Sequence, residues 1–86
     1  MPEICRFFGI VIKMFYDDHL PPHFHAEYGE YRIRVNVSTL SVTEGRFPPK
    51  ALGLVMEWAS LHQEELLKVW ERAMRKEPLG KIAPLE

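Results

Sequence analysis

The sequence predicts an α+β fold: a small antiparallel meander of three to four strands, followed by one long or broken C-terminal helix packed on it. Three observations carry this. The first half has β-branched and aromatic runs punctuated by Gly and Pro. Two of those runs alternate polar and apolar residues around the pair Gly29-Glu30. From about residue 50 to residue 76 the apolar side chains recur at helical spacing.

The first run, Phe7 to Tyr16, is apolar on both alternating faces, which predicts one strand buried on both sides. Asp17-Asp18-His19-Leu20-Pro21-Pro22 ends it, because two acids and two prolines do not continue a central strand. His23–Tyr28 and Tyr31–Val37 then form a hairpin, with glycine in the first turn position as a type II′ turn needs. In that register Tyr28 faces Tyr31, Glu27 faces Arg32, His25 faces Arg34 and His23 faces Asn36. Phe24, Ala26, Tyr28, Tyr31, Ile33, Val35 and Val37 fall on the core face. Leu40–Glu44 is a short fourth strand, stopped by Gly45, Pro48 and Pro49.

In the helical region Leu52, Val55, Met56, Ala59, Leu66, Trp70, Ala73 and Met74 form one stripe. Gln63 sits near its centre, and Leu54, Trp58 and Leu61 lie on the opposite side of the first half. Ser60 and Gln63 have capping-box spacing. Two arrangements follow: two helices broken near Ser60–His62, or one helix whose first half is covered on both sides. Leu54, Trp58 and Leu61 are therefore candidate interface residues for a partner. The tail from Pro78 is expected to be irregular.

A length of 86 residues fits one domain, 1–86, small enough to gain from a partner subunit. The formal net charge of -1 argues against a general nucleic-acid coat, so nucleic acid is not the favoured partner. Cys5 is the only cysteine, which excludes an internal disulfide and fits a reducing, cytoplasmic setting. No signal-peptide pattern and no run of the roughly 20 apolar residues that span a bilayer is present.

His19, His23 and His25 fall within seven residues, beside Asp17 and Asp18. Histidines two apart on a strand share a face, so His23 and His25 can meet one ligand, with His19 or Asp18 completing the set. Imidazole and carboxylate suit a divalent transition metal such as Zn, Ni, Cu or Fe, the candidate cofactor. The competing structural reading is that the histidines bond the loop backbone. The hairpin also lines up His23, His25, Arg32, Arg34 and Asn36 on its polar face. Lys13 joins them if the first strand pairs alongside. Arg and His together can hold a phosphate and move protons near neutral pH, as a metal-independent ribonuclease requires. A solvated sheet face shows the same alternation without any activity.

The segment Ile4-Cys5-Arg6-Phe7-Phe8-Gly9-Ile10, the Asp18-His19-Leu20-Pro21-Pro22-His23-Phe24-His25 run and the Leu- and Trp-rich helix around Glu57-Trp58-Ala59 resemble the bacterial domain of unknown function 4160 family. The resemblance implies a compact cytoplasmic protein of bacteria or archaea. It also implies a gene beside that of a second small domain, as in toxin–antitoxin pairs. The expected role is thus an interaction module with a small cognate protein or a second copy as partner. Metal binding at the histidines is the first alternative, and a small ribonuclease-like toxin is the second. The family supplies no catalytic residue, and whether the chain is an enzyme stays open.

Overall fold

The computed structural model describes residues 2–86. Its elements run β1(Glu3–Phe7), β2(Ile10–Lys13), β3(His23–Tyr28), β4(Tyr31–Asn36), β5(Val42–Arg46), α1(Pro49–Leu61) and α2(Gln63–Met74). The strands form one antiparallel sheet in the order β1-β2-β3-β4-β5, a meander of five strands rather than three or four.

The extra strand comes from the first apolar run. Phe8 and Gly9 both take positive φ, 49° and 80°, and turn the chain between β1 and β2, with Phe7 opposite Ile10. Positive φ at both central residues defines a type I′ hairpin turn. A bulky residue in that conformation is uncommon, so Phe8-Gly9 hides inside what reads as continuous strand. The β3–β4 hairpin has the predicted register from His23↔Asn36 to Tyr28↔Tyr31. Its core face is shorter than expected: Phe24, Ala26, Ile33, Val35 and Val37 are buried, whereas Tyr28 and Tyr31 at the hairpin end are exposed. The fourth predicted strand is shifted to Val42–Arg46 because Asn36 folds the preceding segment into a turn. Its Oδ1 accepts from the Ser38 and Thr39 amides at 2.8 and 3.0 Å.

Gly45, at φ 84°, lies opposite Ile33 in β5, and a Cβ there would overlap the Arg32 carbonyl oxygen. Gly45→Ala is expected to lower stability by about 2 kcal/mol or more, since the strain falls on backbone that has no room to yield. A urea midpoint equal to that of the parent chain would contradict this.

The helical region is broken, at His62 (φ -122°, ψ 23°). Ser60 makes no capping box: its hydroxyl donates to Glu57 O at 2.8 Å, and α2 starts without a side-chain cap. Gln63, the polar residue in the stripe, donates to Val37 O and Ser38 O at 2.7 and 2.9 Å and so ties the helix break to the end of the sheet. Val55, Trp58, Ala59, Leu66, Val69, Trp70 and Ala73 bury against the sheet's apolar face. The irregular tail covers the other side of α1: Leu79 and Ile82 are buried, the Ile82 amide donates to Ile4 O at 2.8 Å, and Trp58 Nε1 donates to Ala83 O at 2.9 Å. Cys5 is buried under this tail, and burial pushes its thiol pKa up. No helix of the described residues is long and apolar enough to cross a membrane.

Candidate functional site

The loop between β2 and β3 is pinned at both ends. The Val37 amide donates to Pro22 O at 2.9 Å, and Lys76 of the segment after α2 pairs with Asp17 at 3.2 Å. Asp17 takes a left-handed φ of 56°, and the Asp18 side chain accepts the His19 amide at 2.9 Å through Oδ1. Its other oxygen, Oδ2, lies 2.9 Å from His23 Nε2 and 3.3 Å from His25 Nε2. One carboxylate oxygen and two imidazole nitrogens thus converge, and the donor atoms of Asp18, His23 and His25 all lie within 4.8 Å of one another.

His23 opens β3 and is 2% exposed, the one buried polar or charged residue of the described chain. Its ring packs on Trp70 at 5.1 Å, and its Nδ1 lies 2.8 Å from Pro21 O. A carbonyl only accepts, so Nδ1 carries a proton. In the neutral ring Nε2 then presents a lone pair to Asp18 Oδ2, which also presents lone pairs. Two acceptors facing each other at 2.9 Å call for a positive charge between or beside them, either a second proton on the ring or a metal ion.

His25 is partly exposed and rests on the edge of Phe15 at 4.8 Å. Burial pushes its pKa down, against the pull of Asp18, so its neutral form is favoured. Burial would raise the Asp18 carboxyl, but the His19 amide, His25 and His23 outweigh it and hold the pKa below the ordinary value. Both shifts act on stability with the same sign. As pH falls through the ordinary histidine value of about 6.5, the unfolded chain takes up a proton that folded His25 resists. Near the ordinary Asp value of about 3.9, the unfolded chain begins to protonate a carboxyl that folded Asp18 keeps ionised. The metal-free parent chain is therefore expected to lose more stability than His25→Gln on going from pH 7.5 to 5.5, and to lose stability again below about 4. His25→Gln should flatten the upper step. Equal changes of the urea midpoint between pH 7.5 and 5.5 in the parent chain and in His25→Gln would contradict the assignment.

His19 is left outside the donor cluster: its side chain is 65% exposed, with Nδ1 3.4 Å from Leu20 O, Nε2 3.9 Å from Asp18 Oδ1 and its ring 5.3 Å from that of His23. His23 is in register with the polar face, as predicted, but is enclosed with both ring nitrogens engaged, so it does not offer a free acid or base to solvent. Asn36 serves the turn after β4. Arg34 pairs with Glu44 at 2.9 Å, and Arg32 is exposed. Glu27 stands opposite Arg32, as expected, but its carboxylate bonds Lys13 at 3.0 Å. Trp58 is not an interface residue but the largest fully buried side chain, packed on Phe7 and Phe24 at 5.5 and 5.9 Å. Leu54 is half-buried and Leu61 is exposed. Three groups had no distinct signal in the sequence: Pro21 O as the anchor of His23, Trp70 as its cover, and Arg46 on the polar face.

A family model described as Domain of unknown function (DUF4160) matches residues 9–71. The chain belongs to this family. In this DUF4160 domain the matched span runs from the first turn almost through α2 and contains Asp18, His23, His25, Pro21 and Trp70. No curated protein and no solved structure matches the chain significantly.

Proposed function

We propose that this DUF4160 protein is a metal-binding protein whose ion is held by Asp18 Oδ2, His23 Nε2 and His25 Nε2. The observation that carries the reading is the paired acceptors of His23 and Asp18, with His23 Nδ1 already committed to Pro21 O. A ligating histidine commonly gives its other N–H to a backbone carbonyl, which fixes tautomer and ring orientation. An ion with bonds of roughly 2.0–2.2 Å holds neighbouring donor atoms about 2.9–3.5 Å apart, which the two carboxylate–imidazole separations of 2.9 and 3.3 Å match, while the donor set as a whole, within 4.8 Å, draws together on binding. Two histidines and one carboxylate leave coordination positions open, on the side where Asp18 and His25 meet solvent. The lone thiol of Cys5 supports a reducing, cytoplasmic location.

The test is equilibrium dialysis of chelator-treated protein against micromolar Zn²⁺, Ni²⁺ or Co²⁺. About one equivalent of one of these ions should be retained per chain. Retention of none would leave the proton as the charge that joins Asp18 to His23 and would end the metal reading.

A second reading is a toxin–antitoxin-like pair with a small cognate polypeptide, and one observation favours it. Phe8, Ile10, Tyr28, Pro48, Ala51 and Leu54 line an apolar cleft of about 480 Å³ with Lys50 at its edge. Phe8 is 60% exposed there. An apolar side chain of the partner, next to an acid facing Lys50, would fill it. The native mass of the protein taken from its own cells should then show a second chain at fixed ratio, lost in Phe8→Glu. A bare chain would exclude the pair.

A further inference from the structure

The polar face of the sheet carries a charge arrangement that the metal reading does not use. Across β2 to β5 the registers line up Lys13, His25, Arg34 and Glu44 in one row, and Val11, Glu27, Arg32 and Arg46 in the next. Both acids are taken: Glu27 by Lys13 at 3.0 Å and Glu44 by Arg34 at 2.9 Å. Arg32 and Arg46 stand directly opposite each other, exposed, and neither is ion-paired with a described residue. Like charges directly opposite on neighbouring strands destabilise a sheet. In the same place Arg34 Nε is buried without a hydrogen-bond partner. Arg32, Arg34, Glu44, Gly45 and His25 surround a depression of about 200 Å³. Planar guanidinium groups in this number, next to a missing acceptor, match the several acceptor oxygens of a phosphoryl group.

We propose that this depression binds the phosphoryl group of a small phosphomonoester, held by Arg32 of its lining with Arg46, which stands opposite Arg32 on β5 just outside that lining, as the second cation, beside the open side of the Asp18–His23–His25 centre. The arginines hold the anion whichever cation sits at Asp18, so the inference does not rest on the metal reading. A compact anion fits better than a nucleic-acid backbone. Glu27 and Glu44 interrupt the cationic row, and a long polyanion would run over both while gaining little from a chain of net charge -1.

The test is an amide-resolved NMR titration of the metal-free full chain at low salt with inorganic phosphate, and separately with a single-stranded RNA oligonucleotide. Saturable one-site shifts centred on Arg32, Arg34, Gly45 and Arg46 are expected. Arg46→Ala should weaken phosphate binding at least tenfold while keeping the parent spectrum elsewhere. In phosphate-free buffer it should unfold at the same urea concentration as the parent or a higher one, because the like-charge pair is gone. Absence of saturable shifts, or phosphate affinity unchanged in both Arg32→Ala and Arg46→Ala, would overturn the proposal. So would RNA binding more than a hundredfold tighter than phosphate with the steep salt dependence of many phosphate contacts. Because the chain is metal-free throughout, failure of the metal reading leaves each of these outcomes legible.

Discussion

Trp58→Ala is expected to leave the chain only marginally folded. Trp58 is fully buried and holds three parts of the molecule at once: Phe7 of β1, Phe24 of β3 and, through Nε1, the Ala83 carbonyl of the tail. Truncating a buried tryptophan costs about 3–5 kcal/mol, from a total that for a small domain is roughly 5–15 kcal/mol. The tail has no regular structure of its own and depends on such contacts, so it should be released first. Trp58→Phe keeps a six-membered aromatic ring but removes the pyrrole part and its hydrogen bond to Ala83 O, and should cost less than Trp58→Ala, about 1–3 kcal/mol. Urea unfolding followed by circular dichroism checks both. A loss below about 1 kcal/mol for Trp58→Ala would mean that the tail and α1 do not share this core.

Asp18→Asn is expected to separate fold from metal. The substitution is isosteric, and its amide can donate to the Nε2 lone pair of neutral His23, so the contact at 2.9 Å can survive as an ordinary hydrogen bond. The anionic donor is lost, however. Removing even an outer partner of a metal ligand costs about 10–100-fold in affinity, so removing this ligand should cost at least about 100-fold. Circular dichroism should match the parent chain while dialysis shows almost no retained ion. Retention equal to the parent would place the ion elsewhere.

How legible the protein is in its sequence depends on the range of the interaction that decides each feature. The β3–β4 register was readable, because alternation on both sides of Gly29-Glu30 leaves only one pairing that buries Phe24, Ala26, Ile33 and Val35 together. The β1–β2 turn was not, because Phe8 occupies a left-handed conformation that its residue type does not announce. The break in the helix left a trace in Gln63. Its cause, two carbonyls of the turn after β4, 25 and 26 residues away, is visible only in three dimensions. At the site, the spacing of His23 and His25 and the presence of Asp18 could be read as a possible cluster. The exclusion of His19 and the enclosure of His23 under Trp70 could not, since both depend on how α2 meets the loop. Arg46 was hidden by a two-residue shift in β5 that the Asn36 turn imposes.

The central claim is that Asp18, His23 and His25 share one ion. The most direct measurement is the imidazole ¹⁵N spectrum of the chain during a Zn²⁺ titration. The account predicts that the Nε2 signals of His23 and His25 move together and saturate near one equivalent, while His23 Nδ1 keeps its proton on Pro21 O and His19 stays as in the free protein. Unmoved Nε2 signals at His23 and His25, or a response at His19 alone, would contradict it.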